Sequence, residues 1–99
     1  MKTLMFLFSV TVEADLNNKI YPAGEKHAAL VYVVADDDKQ AEDRLASELN
    51  QLNWWNITLQ KRGAVNESSI VGNDKTLVDA YNTASKVGFS VIIYEDPIK

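Results

Sequence analysis

The chain contains no cysteine. It can form neither the disulfides that reinforce many small secreted domains nor a thiolate metal site. Histidine occurs once, at His27, and glycine only four times. No glycine-rich phosphate loop and no Gly-x-Ser-x-Gly nucleophile elbow can be found. No apolar run approaches the roughly 20 residues of a membrane-spanning helix. Positive charge is also scarce: 10 Lys and Arg stand against 14 Asp and Glu, a net charge of −4. Binding nucleic acid or an anionic membrane needs clustered cations, and none are present. Lys61-Arg62-Gly63-Ala64-Val65 starts like an RNA-binding signature but lacks its aromatic residues. We therefore expect no nucleic acid, no membrane, no metal and no cofactor. A basic protein partner remains compatible with the charge.

What is present is enough for one core. The 99 residues are 46% apolar and 24% charged, which suits a single domain spanning residues 1–99. The opening stretch, MKTLMFLFSVTVEAD, has some look of a secretory signal: a lysine, an apolar run, then small residues. Its alternation argues otherwise. Leu4, Phe6, Phe8, Val10 and Val12 share one parity, while Thr3, Ser9, Thr11 and Glu13 fall on the other with Met5 and Leu7. A strand with a buried face requires that pattern and a signal does not. We read it as the first strand, and the protein as cytoplasmic.

A polar connection, DLNNKIYPAGEKH, follows, with turn chemistry at Asn17-Asn18 and at Pro22-Ala23-Gly24. Ala28–Ala35 is apolar on both parities and reads as a strand covered on both faces. Asp37 and Gln40 form a capping box for a helix running to about Asn53, with Ala41, Leu45, Leu49 and Leu52 as its apolar stripe. Trp55, Ile57, Leu59, Gly63 and Val65 share a parity and mark a half-buried strand. Asn66–Ser69 reads as a turn and Ile70-Val71 as a short returning strand. A second helix begins at Asn73 or Asp74, buries Leu77, Ala80, Tyr81 and Ala84, and stops at Gly88. Phe89–Glu95 is the last strand, again apolar on both parities.

Without its first strand, this order of elements resembles the βαββαβ ferredoxin-like plait. The expected fold is thus α+β: a plait with an extra N-terminal strand, and two helices on one face of a mainly antiparallel sheet. Ala28–Ala35 and Phe89–Glu95 should be its central antiparallel pair. The other face would then expose Met5 and Leu7 or their neighbours, an apolar patch that a homodimer would cover. The alternative is that loop 15–27 folds over it.

Chemistry-bearing residues are few. Asp36, Asp37 and Asp38 lack the spacing of a calcium loop and suit a helix start. Asp36 and Glu95-Asp96 should lie at opposite ends of antiparallel strands, too far apart for a paired-carboxylate site. Trp54 would point away from Trp55, either to pack over the helix end or to anchor a partner. The expected function is a small non-catalytic binding or protein-interaction domain, homo-oligomeric, with Trp54, Met5 and Leu7 as partner-binding residues. The alternative is a small dimeric plait-type enzyme that uses His27 with Tyr32 or Tyr94.

Overall fold

The computed structural model describes residues 4–65 and 75–98. Its elements are β1 (Leu4–Ala14), β2 (Lys26–Ala35), α1 (Asp38–Gln51), β3 (Trp54–Val65), α2 (Lys75–Val87) and β4 (Phe89–Pro97). The strands form one sheet in the order β3-β1-β2-β4, with every neighbouring pair antiparallel. The α+β class is as the sequence implies. The turn expected at 66–69, the short strand at Ile70-Val71 and the cap at Asn73 or Asp74 lie outside the described residues.

The arrangement departs from the expected plait in three respects. First, β1 is not an added strand but a central one. It pairs with β2 from Leu4↔Ala35 to Glu13↔Lys26, and with β3 from Met5↔Val65 to Ala14↔Trp54. Consecutive antiparallel strands joined by one loop pair readily, so β1 and β2 form a hairpin and each keeps one edge for a later strand. Second, β4 therefore joins β2, as expected, but at the rim of the sheet. Third, the helices cover opposite faces. The even residues Phe6, Phe8, Val10 and Val12 of β1 and the odd residues Ala29, Val31 and Val33 of β2 are buried with Ala41, Leu45 and Leu49 of α1. Met5 and Tyr32, of the other parities, are buried with Ala84 of α2, flanked by Ala80 and Tyr81. A sheet with apolar residues on both parities needs a cover on each face, and one helix serves each. The bare apolar face expected at Met5 and Leu7 is thus largely roofed: Met5 is buried and Leu7 half-buried.

Local chemistry accounts for the helix ends. The Asp37 carboxylate accepts the Gln40 N–H at 2.8 Å, and the Gln40 amide oxygen accepts the Asp36 N–H at 2.7 Å. The box is closed one residue earlier than in its usual form. Leu52 caps the helix, and Asn53 follows at φ 69°, the left-handed residue that commonly stops a helix. Full burial of a side chain such as Leu45 or Leu49 is worth about 1.5–3 kcal/mol. Helix α2 ends at Gly88, whose φ is 93° and whose N–H bonds the Ala84 carbonyl. The Arg44 guanidinium reaches this junction from α1, donating to the Val34 and Val87 carbonyls.

The tryptophan parity is the reverse of the expectation. Trp54 is buried in the α1 core and Trp55 is 47% exposed, with its indole N–H on Glu13. The cause lies in β3. Register shifts on β1 between Ser9 and Val10 and between Thr11 and Glu13, with Asn56 at φ 47°, break the simple alternation.

Candidate functional site

The functional features gather at the end of the sheet where residues 15–25 cross from β1 to β2. Two bonds, from Gly24 N–H to Ala14 O and from Ala14 N–H to Glu25 O, close this loop at its base. The Asp15 carboxylate accepts the Asn17 N–H, and the Asn18 side-chain oxygen accepts the N–H groups of Ile20 and Tyr21. Short Asx side chains replace backbone partners in this way in turns. The Asn53 carbonyl ties the loop to the end of α1, accepting the Asp15 N–H and the Asn18 side-chain N–H. Gly24, at φ 86°, stands third in a turn closed by Glu25 N–H to Pro22 O, where a positive φ is required.

Under the loop, His27 is fully buried. Its Nδ1 lies 2.6 Å from the Tyr94 carbonyl and its Nε2 lies 2.7 Å from Glu25 Oε1. A carbonyl only accepts, so Nδ1 is the donor there. The contact falls at an irregularity of the β2–β4 ladder. Between His27↔Pro97 and Ala29↔Ile93, β4 advances twice as many residues as β2. The imidazole bonds the Tyr94 carbonyl within that bulge. Tyr21 packs on the imidazole at 4.3 Å between centroids and on Trp54 at 5.4 Å, and Trp54 meets the imidazole edge-on at 5.7 Å. Such pairs add about 0.5–1.5 kcal/mol each beyond their burial.

Beside this aromatic cluster opens a cleft of about 440 Å³. Ile20, Tyr21, Leu52, Trp54 and Ile93 form its apolar wall, and Asn18, Gln51 and Asn53 its amide rim; Lys19 is its one charged lining residue among those described. Two of its apolar lining residues, Ile20 and Leu52, stand out in solvent, as does Leu16 earlier in the loop. Leu16 is 85% exposed, Ile20 84% and Leu52 47%.

The residues singled out from the sequence are not brought into one catalytic group. His27 has no solvent contact, and both ring nitrogens are engaged. Tyr32 is equally enclosed but on the other face, edge-on to Tyr81 at 6.0 Å. Tyr94 supplies its backbone carbonyl to His27 while its side chain is half-exposed. Trp54 lines the cleft from the core rather than standing free as an anchor. Met5 and Leu7 belong to the opposite face. Asp36 lies beyond the Val33↔Phe89 end of the β2–β4 pair, and Glu95-Asp96 lie beside His27 at the other end, so these carboxylates are separated as expected. Among the described residues, no three His, Asp or Glu side chains converge as a metal site would require. Sequence reasoning missed Glu25, Tyr21 and the exposed Leu16 and Ile20. Glu25 is only two residues from His27 but lies in the loop, outside β2, so strand periodicity gave no signal for it. The others depend on the loop path.

No helix among the described residues is long and apolar enough to cross a membrane. Comparison with protein-family models, with curated proteins and with solved structures finds no significant match.

Proposed function

We propose that the chain is a non-catalytic protein-interaction domain that takes an apolar side chain of its partner into the cleft beneath loop 15–25. One observation supports this above the rest: Leu16 and Ile20 are held out at 85% and 84% exposure by a loop whose backbone is bonded to its own Asx side chains and to Asn53. Contiguous exposed apolar surface beside a concavity marks interaction sites on soluble proteins. A loop already fixed in place loses little conformational entropy on binding, so more of the contact energy remains as affinity. The net charge of −4 favours a partner basic around its apolar anchor.

The test is selection of peptides from a random displayed library against the wild-type chain, followed by binding to a Leu16→Ser, Ile20→Ser double variant. Enriched peptides should carry aromatic or branched aliphatic anchors with Lys or Arg nearby, shift the amide resonances of Asn18–Tyr21 and Leu52–Trp54, and lose at least tenfold in affinity for the variant, about 1.4 kcal/mol. Peptides that bind both forms equally, or that shift resonances elsewhere, overturn the reading.

A further inference from the structure

We infer that β4 is a dimer seam, its outer edge pairing antiparallel with β4 of a second copy to make a continuous eight-stranded sheet. The argument starts from composition. Phe89-Ser90-Val91-Ile92-Ile93-Tyr94 is apolar on both parities, the pattern of a strand with neighbours on each side. Its neighbour β2 has the same character, and there Val31 and Val33 are fully buried. In β4 the residues from Phe89 to Ile93 are all only half-buried. The difference between two strands of like composition is a neighbour: β2 has two, and among the described residues β4 has one.

The other rim shows how this sheet guards an edge. β3 carries two register shifts, a left-handed Asn56 and the charged pair Lys61-Arg62, with Arg62 bridged to Glu42 at 3.0 Å. Bulges, twist and charge are the devices that keep an edge from pairing. In β4 those devices stand only at the far end, in the bulge at Tyr94–Asp96, the pair Glu95-Asp96 and Pro97; from Phe89 to Ile93 the strand has no charge, no proline, no glycine and an unbroken register with β2. An uncharged apolar edge of this kind is a template for another strand.

A second copy fits as that strand. Antiparallel pairing about a two-fold axis at Val91 sets Val91 against its own counterpart, Phe89 against the partner's Ile93 and Ser90 against the partner's Ile92. Every opposed pair then stays on one face of the sheet, as an isologous interface requires. Helix α2 packs mainly on β4 and β2, so the partner's α2 lies across the seam on the same face. This interface uses main-chain groups of the edge and leaves loop 15–25 free, so it stands apart from the proposed partner cleft.

The experiment is sedimentation equilibrium on the full chain from micromolar to millimolar concentration, with amide hydrogen exchange over the same range. The expected result is the mass of two chains of 11.1 kDa each. Alternate amides of Phe89–Tyr94, those facing away from β2, should gain protection as concentration rises. A Val91→Lys variant places two like charges opposite each other at the axis and should run as one chain. An equimolar mixture of Val91→Lys and Val91→Glu should regain the mass of two. Should either variant fail to fold, the wild-type exchange pattern decides. A single-chain mass at every concentration overturns the inference. So does a dimer whose outer β4 amides exchange freely, a mixture that stays monomeric, or a dimer abolished by Leu16→Ser, Ile20→Ser.

Discussion

His27 illustrates how one side chain can do the work of a missing backbone partner. Where β4 bulges away from the β2 ladder, the part-buried Tyr94 carbonyl takes its donor from the imidazole, at 2.6 Å. Glu25 holds the opposite nitrogen, and Tyr21 and Trp54 close the sides. Leaving a buried acceptor unpaired costs about 1–3 kcal/mol, and the emptied space adds to that. His27→Ala should therefore lower the unfolding free energy by about 3 kcal/mol in a urea titration. His27→Gln, which keeps a donor and part of the volume, should recover a portion of it. A loss below about 0.5 kcal/mol for His27→Ala would refute the clamp, since that is the size of an ordinary surface substitution. The same residue shows why a lone histidine is a poor guide to catalysis. The sequence places it at the end of the connection before the strand; the structure puts it on β2, where the Tyr94 carbonyl, Tyr21 and Trp54 enclose it.

Among the elements, the junction of α2 and β4 carries the sharpest constraint. Gly88 ends the helix at φ 93°, a conformation in which a side chain is strained. A Cβ there would also come within 2.5 Å of the Arg44 guanidinium, which is bonded to the carbonyls of Val34 and Val87. Gly88→Ala should cost about 1–2 kcal/mol from the backbone alone, and pushing Arg44 aside adds to it. Thermal unfolding monitored by circular dichroism would show the lower midpoint; an unchanged midpoint would contradict the assignment. Gly88 was readable as a helix stop from its place between an apolar stripe and an apolar strand. So was the Asp37–Gln40 box. Both are local, depending on residues within one turn. The tryptophan pair was misassigned for the complementary reason. Strict alternation was assumed across β3, and bulges against β1 displaced it.

At the scale of the whole molecule, the described residues make a sheet with one helix on each face, an aromatic cluster at one end and an apolar rim strand. If the greasy loop is kept for binding rather than for folding, its side chains contribute little to stability. The Leu16→Ser, Ile20→Ser variant should then unfold within about 0.5 kcal/mol of wild type in urea, as exposed positions do. A loss of 2 kcal/mol or more, roughly that of burying one aliphatic side chain, would mean that these residues support the core. The predicted neutrality and the predicted loss of peptide binding together separate a recognition surface from a structural one.

Pattern alone determined the kind and order of the described elements, the apolar parity of β1, the Ala41, Leu45 and Leu49 part of the α1 stripe (Leu52, read with them, is 47% exposed), the helix start at Asp37 and the helix stop at Gly88, and the adjacency of β2 and β4. Each follows from spacing within a segment or from the burial demand of a single strand. Tertiary structure alone decided the strand order, the division of helices between two faces, the burial of His27 and Trp54, and the cleft under loop 15–25. A two-sided apolar strand satisfies its burial demand next to any apolar neighbour, so its composition names no partner. The hairpin between β1 and β2 occupies the inner edge of β2, which leaves β4 the outer one.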